Sequence, residues 1–310
     1  LTQIAPRSVG PHRGRAADPE RAGTLDADGV AIRWESYGRG EPAIVFAPTW
    51  SIIHSRCWKQ QIPDFARRHH VLTLDPRANG RSDRPADPAA YSEDHFASDV
   101  VAAMDAAEVD RAVLVGWSLG AQRTLIIAGE HRRRVHGLAL IGPSLELGLA
   151  PTLEREAATR FTDDLGEDDG WARYNAHSWR RDYRGFAEFF FSQVFTEPHS
   201  TKQIEDCVGW TSDTDAETLI AAEVAALDEA RTTRLCAAVR CPVLVVHGDQ
   251  DAIVPHAAGQ PGSRAAELTG GRLLTFEGCG HGIPARDPVR LNLALREFVG
   301  TLGPSATDPR

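Results

Sequence analysis

The sequence predicts an α/β fold: a mostly parallel, doubly wound sheet carrying a helical insertion. Three observations predict it. Short continuous apolar runs recur along the chain, as in strands covered on both faces. Segments with apolar residues at helical spacing fall between those runs. The runs then stop over residues 145–231 and resume afterwards, as when a sheet is interrupted and later completed. The alternation of strand and helix implies parallel strands joined by right-handed crossovers.

Residues 1–23 include "PRSVGPHRGRAADPERAG", rich in Pro, Gly and Arg. They lack the apolar stretch of a signal peptide and are expected to form a flexible extension. In "TLDADGVAIRWESYG" the Asp28-Gly29 pair marks a hairpin turn, and Val30, Ile32 and Trp34 alternate with smaller or polar residues. That pattern is a half-exposed antiparallel edge. "PAIVFAP" is the first fully covered strand. A helix is expected from about Arg56 to Arg68, on the spacing of Trp58, Ile62, Phe65 and Ala66. "HHVLTLD" is a strand, followed by a loop and a helix from about Ser92 to Glu108. "RAVLVGW", "LGAQRTLIIAGEH" and "VHGLALIG" read as strand, helix and strand. The basic run Arg132–Arg134 closes that helix, where the dipole favours cations.

Over 145–231 helix formers, acidic runs and aromatics replace the strands. The rings are Trp171, Tyr174, Trp179, Tyr183, Phe186, Phe189, Phe190, Phe191, Phe195 and Trp210. Most are expected to fasten the insertion to the core and some to line a pocket. "CPVLVVHG", "GRLLTFEG" and "DPVRLNLALREFVGTL" then supply two more strands and a closing helix. The core is thus expected over 24–144 and 232–303, with 304–310 a frayed tail.

Composition narrows the function. The net charge of −9 argues against a nucleic-acid partner. No apolar run approaches the length of a membrane span. The five cysteines, Cys57, Cys207, Cys236, Cys241 and Cys279, form no CxxC pair. They are expected to be buried free thiols, which points to a reducing, cytoplasmic compartment.

The chemistry starts from Gly116-Trp117-Ser118-Leu119-Gly120, a G-x-S-x-G stretch between a predicted strand and a predicted helix. A serine on that sharp turn is pushed up from the C-terminal edge of the sheet. Side chains at the flanking positions would clash, so both are glycine. The helix N-terminus faces the place where an anion forms, and Leu119 offers it a backbone N–H.

A serine hydroxyl needs a general base, and the base an orienting acid. Sites in parallel sheets lie beyond the C-terminal ends of strands. His281, in "EGCGHGIP", follows the strand "RLLTF" and has glycines on both sides. His247 lies in "VLVVHG" and reads as a satisfied core histidine. His54 follows an earlier strand and could enter the pocket. His69, His70, His131 and His136 look like surface or helix-end residues. For the acid, "VLVVHGDQDAIVP" offers Asp249, better suited to holding the turn, and Asp251. The chain order becomes Ser118, Asp251, His281.

On "GWSLG", "GDQDAIVP", "GCGHGIP" and "DPRANGRSDRP", residues 24–302 resemble the α/β-hydrolase superfamily, in its serine-nucleophile, cap-bearing, esterase-like branch. The last stretch looks like the family's D-x-R-G-x-G-x-S turn, so Asp75, Arg77 and Ser82 are expected to stabilise a turn. The resemblance implies that the aromatic-rich insertion is a cap over the serine. It departs from the family where most relatives carry His-Gly after the third strand: this chain has Pro48-Thr49, then Trp50. By that match Trp50 supplies the second oxyanion N–H. Thr49 takes that role if the loop shifts by one, and Pro48 has no N–H to give. Trp117 and Thr49 are expected to border the substrate.

A serine hydrolase of carboxylic esters is the function these residues imply, acting on a bulky or apolar small molecule. Lactones, thioesters, activated carbon–carbon bonds and acyl transfer use the same triad. A non-catalytic binding protein on this fold is the rival reading. No metal or organic cofactor is implied. Arg180, Arg181 and Arg184 read as a solvated helix face, with docking of an acidic partner as the alternative.

Overall fold

The computed structural model describes residues 17–148, 152–223, 227–257 and 260–303. Eight strands form one sheet in the order β1-β2-β4-β3-β5-β6-β7-β8. β1 (Arg21–Ala27) and β2 (Val30–Tyr37) form an antiparallel hairpin at one edge. Its turn places Asp28 and Gly29 at φ +55° and +83°, as a two-residue hairpin loop requires. β2 also pairs antiparallel with β4. The expected extension lies outside the described residues as far as residue 16, and Arg21–Gly23 already belong to β1. The expected tail, 304–310, lies outside them altogether.

β3 (Ala43–Phe46), β4 (Val71–Leu74), β5 (Ala112–Trp117), β6 (Val135–Ile141), β7 (Val243–Gly248) and β8 (Arg272–Phe276) are mutually parallel. All but β8 are buried along their whole length, which is why they appear in the sequence as unbroken apolar runs.

The expected helix over 56–68 is broken. It is a 3-10 turn, Ser55–Trp58, followed by a single helical turn, α1 (Ile62–Phe65). Pro63 is the reason: it lacks the N–H and crowds the preceding turn, so the helix restarts there. α2 (Glu93–Ala106) begins at Ser92, whose side chain accepts the His95 N–H, and α3 (Leu119–Glu130) follows β5 directly.

Between β6 and β7 the described residues are helical: α4 (Leu153–Ala158), α5 (Ala176–Val194), α6 (Thr201–Trp210), α7 (Ala216–Ala221) and α8 (Glu229–Ala238). α8 already belongs to the sheet's own layers. Gly129 lets Leu235 press onto α3, where an added Cβ would meet the leucine at 2.8 Å. Then come α9 (Pro261–Thr269), α10 (Ile283–Arg286) and α11 (Pro288–Thr301). The two sheet faces carry separate apolar cores, one of them continuous with the rings of α5 and α6. All five cysteines are free, four of them buried. Among the described residues no helix is long and apolar enough to cross a membrane.

Candidate active site

Ser118 sits between β5 and α3 at φ +55°, ψ −123°. A non-glycine residue there is strained and persists only where its surroundings over-determine it. The Ser118 N–H donates to Ile141 O at 2.9 Å, and its carbonyl accepts the N–H groups of Ala121 (3.0 Å) and Ser144 (3.3 Å). A Cβ on Gly116 would lie 2.4 Å from Gly120 O, and one on Gly120 would lie 2.8 Å from Pro48 O. The two glycines therefore let the turn close and let the loop after β3 approach it.

Asp251 follows β7 and His281 follows β8. His281 Nδ1 and Asp251 Oδ2 are 2.8 Å apart, both side chains buried. The other carboxylate oxygen accepts the N–H groups of Ile253 (2.9 Å) and Val254 (2.8 Å). Burial alone would raise this carboxyl. The charge of His281 and the hydrogen bonds from His247 and His281 outweigh it and hold Asp251 well below the usual carboxylate range. Gly142, at φ +46°, passes close by: an added Cβ would come 3.2 Å from His281 Nδ1. Trp117 holds His281 by its backbone, its indole N–H donating to His281 O at 2.9 Å.

The loop after β3 is held by a side chain. Arg123, on the second turn of α3, is 1% exposed. Its Nη1 donates to Thr49 O and, at 3.4 Å, to Pro48 O. Its Nε pairs with Glu93 Oε2 at 3.1 Å, and its guanidinium lies 3.8 Å from the centre of the Phe96 ring. In a trans peptide the C=O and N–H point opposite ways. Fixing Thr49 O on Arg123 therefore turns the Trp50 N–H away from α3's arginine. Neither the Trp50 N–H nor the Leu119 N–H finds an acceptor among the described residues.

A cavity of about 540 Å³ opens over Ser118. Of the residues singled out in the sequence, Ser118, Leu119, Trp117, Trp50, Thr49 and His281 line it, and Asp251 stands behind His281. The Trp50 indole stacks on Tyr174 at 5.8 Å and meets Phe190 edge-on at 5.0 Å. Of the ten rings named above, Tyr174, Phe190 and Phe191 reach the cavity, and the other seven do not.

His54 does not enter the cavity. It is buried between Asp75 (3.7 Å) and Asp213 (3.1 Å), because its loop turns back over the β4 end. His247 is a core histidine, with Nε2 3.0 Å from Val254 O and 3.3 Å from Asp251 Oδ2. Asp249 holds a turn by accepting the Gly278 N–H at 2.7 Å. Ser82 Oγ donates to Asp75 O at 2.7 Å, and Arg77 pairs with Asp99 through two hydrogen bonds, at 2.8 and 2.7 Å. Arg180, Arg181 and Arg184 are paired with Glu217, Asp168 and Glu188, which leaves that helix face little charge for an acidic partner. Among the described residues no group of His, Cys, Asp and Glu is arranged to hold a metal ion.

Sequence reasoning missed Glu93, Gln122, Arg123, Phe161 and Glu223, which also line the cavity. Only Gln122 and Arg123 carried a signal, lying about one turn past the serine on its own helix.

The profile of the α/β hydrolase fold family matches residues 42–285, most of the chain, and the protein belongs to that family. Among solved structures, RhEst1, an esterase from Rhodococcus sp. ECU1013, superposes with a TM-score of 0.74 at 25% identity, over 91% of this chain and 99% of that one. Est816, an N-acyl homoserine lactone degrading enzyme, superposes with a TM-score of 0.71 at 27% identity, over 89% and 99%. The 3-oxoadipate enol-lactonase 2 of Acinetobacter baylyi is 27% identical over 135 residues, 43% of this chain and 49% of the relative. The match thus spans about half of that lactonase. These relatives support a hydrolase.

Proposed function

We propose that this protein is a serine hydrolase cleaving carboxylic esters, lactones among them. One observation carries the reading: a strained serine and an imidazole reach one cavity, with a buried carboxylate behind the imidazole, each residue following its own strand. His281 takes the Ser118 proton as Oγ attacks the carbonyl carbon, and Asp251 holds the imidazole tautomer. The N–H groups of Leu119 and Trp50 receive the oxyanion, where losing one donor costs about 3–4 kcal/mol. The intermediate collapses, and the leaving alcohol takes the proton from His281. Water deprotonated by His281 then attacks the acyl-enzyme, releasing the acid and restoring Ser118. In a lactone the alcohol stays tethered to the acyl group through both steps.

The esterase and lactone-degrading relatives support this class of substrate. The apolar walls, with Ile52, Ile53, Phe161, Phe190 and Phe191, suit a bulky apolar acyl or alcohol part. The segment between β6 and β7 serves as a cap in this reading, since three of those five residues, Phe161, Phe190 and Phe191, come from it.

Turnover of p-nitrophenyl butyrate tests the proposal. Ser118→Ala should lower kcat by about 10⁴-fold or more and abolish labelling by a fluorophosphonate. Equal rates in the two proteins would sink it and leave a binding role on the same scaffold.

A further inference from the structure

Glu223 stands out among the cavity's residues. It follows α7 and faces the same space as Ser118. Its Oε1 accepts the Tyr174 hydroxyl at 2.6 Å, and the Trp50 indole N–H is its second donor. Both donors are neutral. Among the described residues no Lys, Arg or His pairs with it. The guanidinium on the same wall, Arg123, is already committed to Glu93. Glu93 adds its own negative charge, and Glu146 is a further carboxylate in the lining. Aromatic rings line the cavity beside the group: Trp50 stacks on Tyr174, and Phe161 meets Tyr174 edge-on at 5.9 Å. Aromatic rings attract cations over their faces.

From these observations we infer that the cavity holds a subsite for a protonated amine, with Glu223 as its counter-ion. The substrate class would be an ester whose alcohol or acyl part carries an ammonium group. The subsite rests on the hydrolase reading above, because it selects among substrates of that same serine. The plainer role for Glu223 is to fasten the α5–α7 region to the core through Tyr174 and Trp50. A glutamine keeps an acceptor oxygen for the Tyr174 hydroxyl and removes the charge, so the roles separate.

Burial pushes the Glu223 carboxyl up to about 7, against the hydrogen bonds from Tyr174 and Trp50, and Glu93 raises it further. The carboxyl must therefore lose its proton before it pairs with an amine. His281 serves any two esters alike, so a ratio of their rates cancels its effect.

The experiment compares 2-(dimethylamino)ethyl butyrate with 3-methylbutyl butyrate, which differ by N–H⁺ in place of C–H. In the wild type the kcat/KM ratio should favour the amine, and should rise from about pH 6 to about pH 8 as Glu223 ionises. Glu223→Gln should lower the ratio at least about tenfold and flatten its pH dependence. An unchanged ratio in that variant overturns the subsite. Should the variant fold poorly, N,N-dimethylbutylamine tests the wild type directly. It should inhibit turnover of the neutral ester, more strongly at the higher pH, and failure to inhibit at either pH overturns the subsite. The neutral ester keeps the two proposals apart: if wild type and Ser118→Ala cleave it equally, the hydrolase reading itself fails.

Discussion

Two loops meet over Ser118, and they are held by opposite means. The turn between β5 and α3 is fixed by backbone: a strained φ, with Gly116 and Gly120 packed where no Cβ fits. The loop after β3 has no such glycine. Pro48 stands there, and the loop is fixed instead by a buried guanidinium that takes two of its carbonyls. The first device tolerates no added atom. The second depends on charge, since Arg123 stays buried only because Glu93 accompanies it.

Three variants probe how the site is held, in decreasing order of expected effect. Gly116→Ala puts a Cβ 2.4 Å from Gly120 O and 2.6 Å from Thr124 Oγ1, atoms with no room to retreat. It should cost about 3 kcal/mol of stability, read from the urea midpoint. A loss below about 0.5 kcal/mol would mean that the turn is softer than its contacts imply.

Glu93→Gln combined with Arg123→Met releases the other loop without stranding a buried charge. We expect kcat on p-nitrophenyl butyrate to fall about 10- to 100-fold with KM little changed, the signature of an interaction made in the transition state. A kcat within about twofold of wild type would show that the loop holds its own geometry.

The smallest effect is set by pH. Asp251 has a folded pKa below its unfolded value, so its contribution to stability is present above the unfolded value of about 4 and is lost as pH falls further. The stability gap between wild type and Asp251→Asn should be widest above about pH 5 and narrow toward pH 3. A gap that stays constant over that range would assign the difference to packing rather than to ionisation.

The same contrast explains what the sequence revealed. Backbone devices leave local marks. The glycines around Ser118 are two residues from it, and Asp251 and His281 each follow an apolar run that reads as a strand. The buried parallel strands were legible because burial on both faces leaves their runs almost wholly apolar, and the edge hairpin by its Asp28-Gly29 turn and its alternation. The helix expected over 56–68 failed on a local cause, Pro63, which periodicity alone does not weigh. The pairings of side-chain devices leave no mark. Arg123 reaches Thr49 across 74 positions, and Tyr174 reaches Glu223 across 49, and neither distance has a period. The sequence left open whether His54 enters the pocket for the same reason, since its partners Asp75 and Asp213 come from distant segments.

One residue belongs to both halves of the molecule at once. The Trp50 backbone lies beside the serine, while its indole is wedged among Tyr174, Trp179, Phe186 and Phe190 of the helical region. In the proposed mechanism the N–H of that residue receives the oxyanion, so one side chain ties the helical region to the peptide on which the proposed chemistry depends.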